Sequence, residues 1–167
     1  MIHIYTGEGK GKSTAAVGLA VRAAGRGKRV VIVQFLKGSE TGELAVLGHI
    51  PNITLLRNSR NYGFFHSASG DSRAAMRGEN TANLEAARAM SCDMLILDEV
   101  CAAYNLGAVD RAAVDALILN PAQNRELVLT GRDAPEHFVK AADYVSEIRK
   151  VKHPFDAGIA AREGIEY

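Results

Sequence analysis

The sequence predicts a three-layer α/β fold built on a mostly parallel central sheet of about six strands. Three observations carry that prediction. Short apolar runs alternate with helical patterns along the chain, the rhythm of a parallel sheet covered by helices. The run VVIVQFL at residues 30–36 is apolar almost without interruption, as expected of a strand buried on both faces. The first strand leads through a glycine- and lysine-rich loop straight into an alanine-rich helix.

Taken in order, residues 2–5 read as the first strand and residues 13–24 as a helix stopped by Gly25 and Gly27. Residues 30–36 form the second strand and residues 53–56 a shorter third. The stretch RNSRNYGFFHSASGD, residues 57–71, reads as a loop with two adjacent phenylalanines, and a long helix follows from Ser72 to about Met90. MLIL at 94–97 is a fourth strand ending in Asp98-Glu99. A helix over 109–119 ends at Asn120-Pro121, and ELVLT at 126–130 is the fifth strand. Asp133 and Glu136, three apart, read as a capping box for a further helix. Residues 144–148 read as the last strand, and the polar tail from Lys150 onward has no clear period.

A length of 167 residues suits one domain covering 1–167. Apolar residues make up 47% of the chain, enough for a sizeable core. Lys and Arg total 20 against 19 for Asp and Glu, a net +1, which gives no field for non-specific binding of nucleic acid or an anionic membrane. Cys92 and Cys101 lack C-x-x-C spacing and neighbouring histidines, so both are expected to be reduced thiols. No apolar run approaches the ~20 residues that span a bilayer. The N-terminus shows no signal-peptide pattern, so a soluble, cytoplasmic protein is expected.

The chemistry concentrates in Gly7-Glu8-Gly9-Lys10-Gly11-Lys12-Ser13-Thr14, between a strand and a helix, the context that a phosphate-binding P-loop requires. Closely wrapped backbone points N–H groups at phosphate oxygens, and the helix N-terminus adds partial positive charge. Lys12 has the reach for phosphate oxygens, and the Ser13 hydroxyl suits a Mg²⁺ ligand. The match to G-x-x-x-x-G-K-[ST] is incomplete, because Thr6 occupies the place of its first glycine. Asp98 and Glu99 end an apolar strand, like a Walker B segment, where an acid holds Mg²⁺ directly or through water. Thr130-Gly131-Arg132 ends another strand on the same edge, which brings Arg132 towards phosphate or nucleoside. The expected architecture is therefore a P-loop NTPase (RecA-like) fold. On spacing alone, Phe64 and Phe65 read as packing of a loop onto the core.

Beyond the loop, the stretches TGEGKGKSTAA, VQFLKG, LILDEV, LTGR and DYVSEIRKVKHPFDAGIAAREGIEY resemble the P-loop class of ATP:corrinoid adenosyltransferases, from about Ile4 to Tyr167. The resemblance implies transfer of the 5′-deoxyadenosyl group of ATP to the Co(I) centre of a corrinoid, cobalamin or cobyrinic acid diamide, with release of triphosphate. It implies ATP bound in reversed orientation across the loop, with Mg²⁺. Ser13 stands at the family's hydroxyl metal-ligand position, and Glu99 matches the acid of the I-L-D-E motif, with Asp98 a second candidate. Lys12 and the loop amides match the phosphate cradle. Phe64, Phe65 and His66 fall where family aromatics press on the lower cobalt face; Phe64 fits the family's Phe, and His66 stands where some members carry Trp. Arg149, Lys150, Lys152 and His153 form a basic cluster, either a corrinoid contact or a solvated face. The H-x-F-D-A-G segment with Phe155, Asp156 and Gly158 closes over nucleotide or builds a dimer contact. A homodimer and a flavoprotein electron donor are family expectations. Longer members carry an N-terminal extension that can cover the site; how the corrinoid is shielded here stays open, with a loop lid and a partner reductase as the alternatives. Two other classes remain open at this point: a P-loop ATPase or small-molecule kinase, and a nucleotide-regulated corrinoid-binding module.

Overall fold

A computed structural model describes residues 1–63 and 65–165. Six strands, β1 (Ile2–Thr6), β2 (Val30–Gln34), β3 (Ile53–Arg57), β4 (Met94–Asp98), β5 (Glu126–Thr130) and β6 (Tyr144–Glu147), form one sheet in the order β3-β2-β4-β5-β1-β6. Every pairing is parallel, so the sheet is parallel throughout and not merely mostly so. One strand, β5, separates the strand that feeds the phosphate loop from the strand that ends in the two acids.

Along the buried strands successive side chains enter opposite cores, as the two-residue period of a strand requires. Val31, Val33, Leu95, Leu97, Leu127 and Leu129 point into one core, while Val30, Ile32, Met94, Ile96 and Val128 point into the other. Helix α1 (Lys12–Ala24) closes the second core with Ala16, Ala20 and Ala24, a small-residue face that lets the helix lie close to the sheet. The short helix α2 (Gly42–Leu47) adds Leu47 on that side. The first core is covered by α3 (Gly70–Ala89), α4 (Val100–Leu106), α5 (Arg111–Leu119) and α6 (Glu136–Ala141), through residues such as Leu84, Val100, Val114 and Phe138. The sheet is thus the middle of three layers.

Local chemistry sets the helix ends. Ser69 caps α3 by accepting from the Ser72 amide at 3.2 Å, two residues earlier than the sequence pattern alone suggests. Asp110 caps α5 by accepting from the Ala112 amide at 3.0 Å, so that helix begins at Arg111 and not at residue 109. The capping box expected at Asp133 and Glu136 does not form. Pro135 is the N-cap of α6, and Asp133 sits in a left-handed turn (φ 51) whose carbonyl accepts from Asn105 at 2.8 Å. In the tail, Pro154–Ala157 make a single 3₁₀ turn capped by His153.

Candidate active site

Because all six strands run the same way, the loops after β1, β2, β4 and β5 leave the sheet at one edge, the usual place for ligands in such folds. A cleft of about 920 Å³ opens there. Gly9, Lys10, Gly11, Lys12, Ser13 and Thr14 form one wall, and Lys37, Glu43, Glu99 and Arg132 complete it with His153 and Ile165 from the tail.

The phosphate loop is held from beneath by the chain that follows β6. The Gly9 amide donates to the carbonyl of Ile148 at 2.7 Å, and the Ile148 amide donates to the carbonyl of Thr6 at 2.8 Å. A Cβ on Gly9 would lie 2.7 Å from the Ile148 oxygen, so only glycine fits this approach. Thr6 and Gly7 face a second depression, of about 640 Å³, with Glu147, Arg149 and Lys150; Glu8 lines both. The Lys12 ammonium is buried and turned onto the loop itself, donating to the carbonyls of Gly7 at 2.6 Å and Gly9 at 2.8 Å.

At the end of β4, Asp98 is 2% exposed and held on both oxygens. Oδ1 accepts from the Thr130 hydroxyl at 2.7 Å, and Oδ2 meets the Lys37 ammonium at 2.7 Å. The same ammonium stands 3.5 Å from Ser13 Oγ. Glu99 follows in a left-handed conformation (φ 62, ψ 21), unusual for a residue with a side chain, and its amide donates to Thr130 Oγ1 at 2.8 Å. Burial first, then repulsion from Asp98, pushes the Glu99 carboxyl above the ordinary glutamate range, against the opposing charges of Lys37, Lys12 and Arg132. Burial likewise pushes the nearby Cys101 thiol up to about 12. Arg132 reaches Glu8 at 3.5 Å across the mouth of the cleft, an exposed pair of little energetic weight.

The fold therefore brings together Glu8 to Thr14, Glu99 and Arg132 around one cleft, with Asp98 just beneath. It does not bring Phe65 or His66 there. Phe65 is half-buried against the first core, with Arg73 5.9 Å over its ring, and the exposed His66 offers its carbonyl to Arg73 at 3.3 Å. Phe64 lies outside the described residues. Sequence reasoning passed over Lys37, Glu43 and Thr130 as site residues. The signal for Lys37 was present in VQFLKG, a cation just past the C-terminal end of a central strand. For Thr130 it was a hydroxyl ending β5 beside the acid-bearing β4.

The donor set suits Mg²⁺, which binds hard oxygen ligands from one or two carboxylates together with substrate phosphates. A cation, the Lys37 ammonium, already sits within reach of both Ser13 Oγ and Asp98 Oδ2. Among the described residues there is no cluster of three or more His, Cys, Asp or Glu side chains that would hold a metal without such phosphates.

A parallel sheet with a strand–loop–helix phosphate cradle and acids at the end of another strand one removed from it defines a P-loop nucleotide-binding protein. Comparison with known proteins narrows this further. The whole chain, residues 1–167, matches the family described as ATP:corrinoid adenosyltransferase BtuR/CobO/CobP. It is 36% identical to the corrinoid adenosyltransferase of Escherichia coli (strain K12) over 171 residues, covering 100% of this chain and 85% of that protein. It is 34% identical to the corrinoid adenosyltransferase of Pseudomonas aeruginosa over 167 residues, covering 98% of this chain and 82% of that one. The corrinoid adenosyltransferase CobA of Salmonella typhimurium is 36% identical, with 100% and 85% covered. The chain belongs to the ATP:corrinoid adenosyltransferase family, a family of transferases, and this does not favour an ATPase or kinase. Among the described residues, no helix is long and apolar enough to cross a membrane.

Proposed function

We propose that this chain, acting as a single domain over residues 1–167, transfers the 5′-deoxyadenosyl group of ATP to the Co(I) centre of a corrinoid. The observation that carries the proposal is the cleft in which Lys10, Lys12, Lys37 and Arg132 surround the helix-opening loop, in a chain that matches the family along its full length. In the reaction the cobalt electron pair forms a bond to C5′. The C5′–O bond breaks with its pair on oxygen, and triphosphate leaves. Charge grows on the leaving group, so the chain's task is to neutralise it there. The amides of residues 10–14, the N-terminus of α1 and the Lys10 and Lys12 ammonium groups would do so, and all of them line the cleft. Ser13, Asp98 and Glu99 would hold Mg²⁺, which supplies further positive charge on the triphosphate. Phosphate binding frees the Gly7 and Gly9 carbonyls from Lys12 by offering its ammonium stronger acceptors. Co(I) needs no general base to become a nucleophile, which leaves positioning and electrostatics as the protein's contributions.

The corrinoid is assigned to the open side of the cleft, near the tail residues His153 and Ile165. Phe64 keeps its family assignment as the lower-face contact, while Phe65 packs against the first core as spacing alone suggests. Homodimerisation, a flavoprotein electron donor and a cytoplasmic location belong to the same proposal. Its test is anaerobic: protein, Mg-ATP and chemically reduced corrinoid, with the phosphate products identified. Triphosphate formed one-for-one with a light-sensitive cobalt–carbon product is the expected result. ADP and phosphate with unchanged corrinoid would refute it in favour of a kinase or ATPase. Binding of both ligands without a new bond would leave a corrinoid-binding module.

A further inference from the structure

Lys37 is set in place with unusual care. The residue before it, Leu36, takes a left-handed conformation (φ 60) that strains a residue with a side chain. The residue after it, Gly38, lies so close to the next segment that a Cβ would fall 1.8 Å from the carbonyl oxygen of Arg60. A strained residue on one side and a backbone contact on the other turn the chain after β2 back over the sheet edge. The product of that turn is one ion pair, Lys37 Nζ to Asp98 Oδ2 at 2.7 Å, with Ser13 Oγ at 3.5 Å from the same nitrogen. The Lys37 side chain is 25% exposed and that of Asp98 only 3%, so the carboxylate is buried and the ammonium can withdraw towards the cleft. Glu43, across the cleft wall, offers that ammonium a second carboxylate. Its group feels an opposing rise from burial, but hydrogen bonds from its own backbone, Gln34 and Thr41 and the charge of Lys37 hold it below the ordinary range.

We propose that Lys37 is a resident cation that occupies the metal position between Ser13 and Asp98 until nucleotide arrives, and so makes Mg²⁺ enter only together with the triphosphate. This rests on the assignment of Ser13 and Asp98 as metal ligands made above. An isolated buried Asp98 beside Glu99 would be two carboxylates without a counter-charge, and Lys37 supplies it in the nucleotide-free protein. A free divalent ion must displace that ammonium without compensation. A metal–triphosphate complex brings phosphate oxygens that accept the displaced ammonium, so the exchange is favourable only for the complex. Lys37 is on this account a positioning residue that orders the binding of metal and nucleotide.

The test is a Mn²⁺ titration followed by the EPR signal of the free ion, with and without ATP, on folded full-length protein. Wild type is expected to bind Mn²⁺ alone at least tenfold more weakly than the variant Lys37→Gln, and Lys37→Arg is expected to stay as weak as wild type. Adding Ser13→Ala to Lys37→Gln is expected to remove the gain. Wild type that holds one Mn²⁺ per chain at micromolar free ion without nucleotide would overturn the proposal, whatever the variants do. Equal Mn²⁺ affinity in wild type and Lys37→Gln would also overturn it. If Ser13→Ala and Glu99→Gln weaken Mn²⁺ binding in the presence of ATP while Lys37→Gln changes nothing without it, the metal assignment stands and the ordering role falls. If neither of those two variants weakens Mn²⁺ binding with ATP, the metal assignment itself falls, and the proposal with it.

Discussion

Replacing Gly9 by alanine would set a Cβ 2.7 Å from the carbonyl oxygen of Ile148, 2.8 Å from that of Arg149 and 2.8 Å from the Ile148 methyl. Ordinary contact begins near 3.4 Å, so the loop and the end of β6 must part by roughly 0.7 Å in the Ile148 direction. Two of the three obstacles are backbone carbonyls, which do not rotate away as a flexible side chain does. The Gly9 amide bond to the Ile148 carbonyl, 2.7 Å long, lies on the same path and is lost. Overpacking of this kind costs about 1–3 kcal/mol, offset by ~0.4–1 kcal/mol from the stiffer unfolded chain. At ~2–4 °C per kcal/mol for a chain of this size, the melting temperature of Gly9→Ala is expected to fall by several degrees. Nucleotide binding should suffer more than stability does. Loss of one well-aligned amide–phosphate hydrogen bond, about 1.5–3 kcal/mol, would weaken Mg-ATP binding roughly 10- to 100-fold. Calorimetric titration with Mg-ATP and a thermal melt on the same sample measure the two effects together. A variant that melts normally and binds ATP as wild type does would refute the idea that contact with β6 fixes the loop.

Gly18, inside α1, is the opposite case: a Cβ there meets nothing within 4 Å, so Gly18→Ala should stabilise by about 0.5–1 kcal/mol in urea unfolding with adenosyl transfer unchanged. Glu99→Asn keeps a residue type that tolerates the left-handed backbone and removes the repelled carboxylate; it should raise the melting temperature and abolish metal-dependent nucleotide binding. Because the Glu99 carboxyl is raised in the folded protein, the fold binds more protons than the unfolded chain above the ordinary value of 4.5; stability should therefore fall as pH rises from there through the raised value. Urea midpoints of the nucleotide-free protein should show that slope, and Glu99→Gln should flatten it. With burial pushing its thiol up to about 12, Cys101 should resist alkylation at pH ~8 in the native protein and react only on unfolding.

The parts legible in the sequence are those fixed by neighbours in the chain. VVIVQFL, MLIL and ELVLT announce buried strands by composition, and the strand–GKGKS–helix order announces the phosphate loop. Helices α2 and α4 were not anticipated because six- and seven-residue elements span too few turns to show a 3.6-residue period. The expected capping box at Asp133 failed because Pro135, whose fixed backbone favours a helix entrance, takes the capping position first. Lys37, Asp98 and Thr130 meet in space although 61 residues separate the first pair and 32 the second. Their meeting depends on the strand order β2-β4-β5, which no local pattern encodes.

What that strand order builds is a site in which several of the charges are paired with its own residues before any ligand comes. Lys12 spends its hydrogen bonds on the loop carbonyls, Lys37 neutralises Asp98, and Arg132 leans towards Glu8. Glu99, among the described residues, has no ion pair at close range, and it is strained in its backbone and raised in its pKa. Binding of a metal–triphosphate is then an exchange of partners rather than a filling of a vacant cradle. Lys12, Lys37 and Arg132 trade internal oxygens for phosphate oxygens, and Asp98 trades a lysine for the metal. Such an exchange nets less free energy than the count of final contacts suggests, because the initial ones are lost. It also makes the site selective: a ligand with phosphates but no metal leaves Asp98 and Glu99 uncompensated, and a metal without phosphates leaves the lysines so. The triphosphate and its cation together satisfy both sets, which is the physical reason for expecting the two to bind as one.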